Sequence, residues 1–265
     1  MRNSWFARQL IPPVIWHCYS YIRSYARYFL NAKLMHRNDF VKDSKKGQTV
    51  YILGNGPSLN NFNLEEICGK DVITMNYFYL HPEINNFNIV AHCIGEPFDC
   101  STWVDPSDMV EKTPAETYWF SITAKDFCER NFKNSKLHYY LPGVAVNFNI
   151  LLDSNLARPT LQYQSTSQMA IMVAMHLGYK KIYLLGFDHD WLATRGFSPH
   201  FYNENETNSE IEKADFSKIS YLNMINISKN LFDIYDSIKN IASRKNISIV
   251  NLSRPTFLDI FPYKD

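Results

Sequence analysis

The segment Ser165 to Phe187 limits the possible folds more than any other stretch of this chain. Ser165-Thr166-Ser167 offers helix N-cap residues, Gln168 to Leu177 is apolar on nearly every face, and Gly178 is a natural C-cap. Lys181 to Phe187 follows as a strand of Ile, Tyr and Leu. A helix that is apolar all round has to be buried inside a domain. Its pairing with an apolar strand implies a layered α/β body.

The remaining elements repeat this alternation. Gln48 to Leu53, Asp71 to Met75, Asn88 to Ile94, Glu116 to Ile122, His138 to Leu141 and Ile247 to Leu252 read as strands. Short helices are expected after Gly56, through Leu64 and Ile67, and near Ala124 to Phe132. A long helix is expected over Ile219 to Arg244. Residues 142–159 read as a loop near the site, and 193–215 as a long polar loop or lid. The expected fold is therefore α/β, a single domain with a mostly parallel, doubly wound sheet. With 265 residues, 46% of them hydrophobic, the chain can bury such a core, and 18 Phe, 17 Tyr and 5 Trp exclude a disordered chain.

The net charge of +1 conceals a division. Residues 1–46 hold nine Lys/Arg and two Asp, or +7, so the rest of the chain carries −6. Ile15, Cys18, Tyr19, Ile22, Ala26, Phe29 and Leu30 recur there at helical spacing, and Arg23 and Arg27 interrupt any run long enough to span a bilayer. Two domains follow: 1–46, a basic amphipathic helical appendage, and 47–265, the main body. The appendage suits either an anionic membrane surface or a protein partner. Its charges are interleaved with aromatic and aliphatic residues, which does not describe a nucleic-acid module. Five scattered Cys without a CxxC pair argue for a reducing compartment and against structural zinc.

Three places can carry chemistry. Gly54-Asn55-Gly56-Pro57-Ser58 follows a strand directly, where backbone N–H groups can approach a phosphate, but it matches neither a dinucleotide nor an ATP fingerprint. Ser165, Thr166 and Ser167 bring hydroxyls to a buried helix start, suited to an anion or to plain capping. Gly186-Phe187-Asp188-His189-Asp190 ends the apolar strand, and Asp188 and Asp190 form a D-x-D pattern able to hold a divalent ion. On the polar loop, His200 and Tyr202 bring an imidazole and a phenol, the imidazole titrating close to a working pH.

Taken in order, Ile52 to Leu59, Met75 to Tyr79, Thr166-Ser167 and Leu177 to Asp188 resemble the bacterial sialyltransferases of glycosyltransferase family 42 and the related DUF115 group. The resemblance spans most of residues 48–202. It implies a single Rossmann-like GT-A-type domain, with 47–265 as the nucleotide-sugar-binding catalytic part, in a glycosyltransferase that moves a sialic acid-like or other acidic sugar from a CMP-sugar donor to a glycan or lipid-linked acceptor in surface polysaccharide synthesis. No cofactor or essential metal is implied. Gly54, Asn55, Gly56, Pro57, Ser58, Asn76, Ser165, Thr166, Ser167 and Gly186 would bind the donor. His200 matches the family's general base by position, with His189 as rival, Tyr202 as leaving-group donor and Asp188 beside them. The family carries an Arg before its Thr-Ser pair, where this chain has Tyr163 or Gln164. The expected location is cytoplasmic, peripheral on the inner face of the plasma membrane, with homo-oligomers as in the family. Two alternatives stand beside this one. The first is a DUF115-type hydroxymethylpterin diphosphokinase using ATP and Mg²⁺, with Asp188 and Asp190 as ligands. The second is a non-catalytic nucleotide-binding component of an assembly complex.

Overall fold

The structure is a computed structural model that describes residues 13–95, 109, 112–132, 136–144, 153–194, 200–201 and 219–263. Among these residues, seven strands form one sheet in the order β5-β4-β3-β2-β1-β8-β9, and every adjacent pair is parallel. The strands are β1 (Thr49–Leu53), β2 (Asp71–Met75), β3 (Asn88–Ile94), β4 (Tyr118–Ser121), β5 (Leu137–Tyr140), β8 (Lys181–Leu185) and β9 (Ser248–Asn251). A small second sheet pairs β6 (Pro142–Val144) with β7 (Thr160–Leu161), inside a stretch that reads as a loop in the sequence.

Both faces of the large sheet are covered, so its strands are apolar runs rather than alternating ones. On one face Val50, Ile52, Ile73, Met75 and Cys93 meet α3 (Thr166–Leu177) and α4 (Tyr221–Arg244). On the other, Leu53, Val72, Ile89 and Ile94 pack against α2 (Lys125–Asn131) and the 3-10 turns that follow β1 and β2. The two after β1, Pro57–Asn61 and Leu64–Ile67, occupy the place of the expected short helix, and Asn76–Leu80 follows β2. Eleven of the twelve residues of α3 are buried, as its all-round apolar character requires. Gly178 ends it at φ +95°, the left-handed geometry of a C-cap.

The N-terminal helix, α1 (Pro13–Met35), lies along β5 and β6. Ser20 and Ser24 donate to the Gly143 carbonyl, and Lys125 donates to Asn31 Oδ1 at 3.3 Å. Residues 36–47 then run over the surface of the body and are tied to it at several points. Asn38 is fully buried, with Nδ2 donating to the carbonyls of Tyr139 (2.8 Å) and Leu156 (2.7 Å). Backbone N–H groups of Asp43, Lys45 and Gly47 bond to the end of α3 at His176, Leu177 and Gly178.

Candidate functional site

Strands β1 to β5 step outward on one side of β1, while β8 and β9 lie on the other. The sheet therefore reverses direction between β1 and β8, and ligands of open α/β sheets bind beyond the carboxyl ends at such a point. Here the two glycine turns interlock. Gly54 N donates to Leu185 O at 2.7 Å, and Gly56 N donates to Gly186 O at 3.1 Å. A Cβ on Gly54 would stand 2.4 Å from Gly186 O, and one on Gly56 would stand 2.6 Å from Asp188 Oδ2. Gly186 itself adopts φ +71°, which favours glycine.

Asp188 holds this junction together. Its buried carboxylate accepts from Ser58 N at 2.9 Å and from Ser58 Oγ. Burial raises its pKa, and the two bonds from Ser58 oppose that rise. Pro57 opens the 3-10 turn Pro57–Asn61 directly beneath it. The C-terminal segment braces the same strand end: Ser253 Oγ accepts from Phe187 N at 2.8 Å, and Thr256 Oγ1 donates to Phe187 O at 2.6 Å. The D-x-D pair is accordingly divided. Asp188 faces inward, whereas Asp190 is half-buried and uses its carbonyl to open a turn through Ala193 and Thr194. Among the described residues no three His, Cys, Asp or Glu side chains gather as a metal site.

Asn55 and Asn76 stand at the ends of the neighbouring strands β1 and β2, with Asn55 Nδ2 donating to Met75 O at 3.4 Å. Both Oδ1 atoms are buried and, among the described residues, lack a hydrogen-bond partner. Orphan acceptors of this kind in a native structure call for a donor from outside the chain, such as a ligand or water. Asn76 is also at φ +48°, a left-handed position that Asn tolerates better than most residues. The polar loop reaches the same place: Phe201 N donates to Asn55 O at 3.0 Å, and the Phe201 ring packs against Phe78 and His81 at 5.4 and 5.1 Å. His200 is thereby delivered beside the β1 turn. Tyr202 lies outside the described residues.

The start of α3 closes the third side. Gln168 Oε1 accepts from the N–H groups of Gln164 (2.8 Å) and Ser165 (3.2 Å), one half of a capping box. Thr166 is pressed against Gly95, just past β3, where a Cβ would fall 2.6 Å from Thr166 Oγ1. Tyr163, one of the two residues in place of the family's Arg, donates to Gly95 O at 2.8 Å. From here a chain of polar contacts runs across the domain. Ser165 Oγ meets Ser167 Oγ, Ser167 Oγ lies 2.7 Å from Tyr235 OH, and Tyr235 OH lies 2.8 Å from His189 Nε2. Burial lowers the His189 pKa to about 4, so its imidazole is neutral at neutral pH. Its Nδ1 is buried and unpartnered, and its backbone is left-handed at φ +52°.

Glycine turn, paired asparagines, hydroxyl-lined helix start and His200 therefore converge at the carboxyl ends of β1, β2, β3 and β8. Gly95 and Tyr235 were not among the residues that the sequence pointed to. Gly95 had a readable signal, as a glycine immediately after a strand. Tyr235 had none, being one more aromatic residue on the buried face of α4.

The arrangement can be set beside solved structures. The sialyltransferase CstII from Campylobacter jejuni, solved in complex with a substrate analogue, cytidine-5'-monophosphate, superposes over 83% of this chain and 86% of its own at a TM-score of 0.51 and 17% identity. The chain has the fold of a sialyltransferase. The MAf glycosyltransferase from Magnetospirillum magneticum AMB-1 aligns over 89% of this chain and 38% of its own, at a TM-score of 0.48 and 14% identity. No family model and no curated protein matches the sequence.

Proposed function

We propose that this chain is a glycosyltransferase that moves a sialic acid-like or other acidic sugar from its CMP-activated form to a glycan or lipid-linked acceptor. The observation that carries the reading is the pair of buried, unpartnered carbonyl oxygens on Asn55 and Asn76, set at the switch point of a sialyltransferase-like fold. Two adjacent acceptors suit the amino and hydroxyl donors of a cytidine. The phosphate then falls toward the Gly54 and Gly56 backbone and the α3 start, where Thr166 and Ser167 hydroxyls join the helix dipole. Because the body carries −6, the anion is held by oriented dipoles and not by net charge.

Transfer is a direct displacement. His200 takes the proton of the acceptor hydroxyl as that oxygen attacks the anomeric carbon, and CMP departs with its charge stabilised by N–H groups and hydroxyls already in place. Tyr202 is the leaving-group donor in this scheme. A monophosphate leaving group needs less neutralisation than a diphosphate, so the residues named suffice for the step. His189 serves the site indirectly, because Tyr235 ties its Nε2 to the hydroxyls of α3. A single base with no protein nucleophile gives inversion at the anomeric carbon.

The test is turnover with CMP-activated acidic sugars and glycan acceptors, followed by CMP release and by the mass of the product. Acceptor-dependent CMP release with a matching mass increase supports the reading. Turnover of nucleoside-diphosphate sugars alone, or diphosphate transfer from ATP to a pterin, refutes it.

A further inference from the structure

Helix α1 is built inside out. As far as Asn31 the side chains that bond to the body are polar: Ser20 and Ser24 bond to the Gly143 carbonyl, Arg27 donates to Pro142 O at 3.4 Å, and Asn31 accepts from Lys125, while Tyr28, Leu34 and the fully buried Met35 pack into the core near its end. Its apolar stripe points away. Ile15, Tyr19, Ile22, Phe29 and Leu30 all lie on the outer side, with exposure rising from 54% at Ile15 to 84% at Leu30. Ala26 and Cys18, on the same stripe, are exposed as well. An amphipathic helix that packed its own domain would show the opposite arrangement. This is therefore an apolar face prepared for something outside the described chain, since isolated surface apolar residues do not line up over four turns.

We propose that the outer face of α1 docks onto an anionic lipid bilayer, lying in the plane of its headgroups. Charge selects this occupant over a second copy of the chain. Pro13–Met35 contains no acidic residue, whereas Arg23, Arg27 and Lys33 all lie on it, and Arg23 and Lys33 are exposed. Two such helices packed face to face would bring cations together with no carboxylate on either helix to pair them. Anionic headgroups supply the missing counter-charge. The flanks suit an interface too: Tyr21, Tyr25 and Tyr28 form a ring ladder along one side, with centroids 4.7 and 6.2 Å apart, giving an apolar body with a polar tip at headgroup depth. No described helix is long and apolar enough to cross a membrane, so the helix lies on the bilayer rather than through it.

Helix α1 also sits at one end of the sheet, beside its β5 edge. Strand β6, which α1 grips, begins just beyond the carboxyl end of β5, so α1 is anchored on the carboxyl-end side of the sheet where the site opens. A lipid-linked acceptor would meet the site at the bilayer surface. The membrane proposal does not depend on which sugar is moved, nor on transfer occurring at all.

The experiment is flotation of the full chain with phosphatidylcholine vesicles, with and without phosphatidylglycerol. The wild-type protein should float with the anionic vesicles only, and added salt should release it. Arg23→Glu should weaken binding about fivefold or more, given roughly 1 kcal/mol for each basic residue near a charged leaflet. Phe29→Ser with Leu30→Ser should abolish flotation while circular dichroism and melting temperature stay at the wild-type value. Failure of the folded wild type to float, or equal binding to neutral vesicles, overturns the proposal. It is equally overturned if these substitutions convert a wild-type dimer to monomer in light scattering while lipid binding is absent, which marks a second copy as the occupant.

Discussion

Gly54 and Gly186 approach each other so closely that a Cβ on Gly54 would stand 2.4 Å from the Gly186 carbonyl oxygen, and one on Gly186 would stand 2.8 Å from the Gly54 carbonyl oxygen. No side chain fits on either residue without parting β1 from β8 at the point where the candidate site begins. Gly54→Ala should therefore cost about 1–3 kcal/mol, the range of an overpacked core. In a chain of this size that lowers the melting temperature by about 2–4 °C per kcal/mol. A calorimetric scan checks it, and an unchanged melting temperature would show that the turns can separate freely.

The chain from His189 through Tyr235 to Ser167 predicts a second effect. Tyr235→Phe keeps the ring in the core but removes the hydroxyl that joins His189 Nε2 to Ser167 Oγ. Leaving buried polar partners unpaired costs about 1–3 kcal/mol. The helix start should also lose its orientation toward the donor. The KM for a CMP-sugar is expected to rise several-fold with a smaller change in kcat. A drop in kcat at constant KM would place Tyr235 in the chemical step instead.

His200 and His189 are separable by substitution. His200→Ala should reduce transfer by about 10²–10⁴-fold, the worth of a positioned general base, and leave CMP binding nearly intact. His189→Ala should disturb donor affinity and stability more than the chemical step. Steady-state kinetics combined with CMP titration distinguishes these outcomes, and a near-normal kcat in His200→Ala transfers the base to His189.

Acid should weaken the fold through three buried histidines. Burial lowers the pKa of His92 to about 3, and of His138 and His189 to about 4, against about 6.5 in an unfolded chain. Below pH 6.5 the unfolded chain takes up protons that the folded one refuses. Stability is therefore complete above that pH and lost as pH falls toward about 4. Each histidine adds about 1.4 kcal/mol per pH unit to the slope. Urea denaturation between pH 7 and 4.5 measures it, and His92→Gln should reduce the slope by close to one proton even if it lowers stability at every pH.

Much of the fold was legible because buried parallel strands are continuous apolar runs. Val50 to Leu53 and Ile182 to Leu185 announce themselves without reference to the rest of the chain. The β6–β7 pair was not legible, since strands of three and two residues leave no period to detect. Periodicity found the stripe from Ile15 to Leu30 but could not say which way it faces, because an outward apolar face and an inward one share the same spacing. At the site, Gly54-Asn55-Gly56 and Gly186-Phe187-Asp188 were visible as punctuation after strands. That Asp188 binds Ser58, and that Tyr235 joins His189 to the start of α3, depends on contacts between residues far apart in the chain. D-x-D looked like one motif in sequence, yet the φ +52° of His189 between the two carboxylates accompanies their divergence.

The central claim is that Asn55, Asn76 and the start of α3 form a cytidine monophosphate site. Calorimetric titration of the full chain with CMP, UMP and ATP, each with Mg²⁺ and with EDTA, tests it most directly. The account predicts saturable binding of CMP that is unchanged by EDTA, a weaker response to UMP, and at least a tenfold loss for CMP in Asn55→Ala and Asn76→Ala. Binding of ATP with Mg²⁺ but not of CMP, or CMP binding that ignores both substitutions, would contradict it.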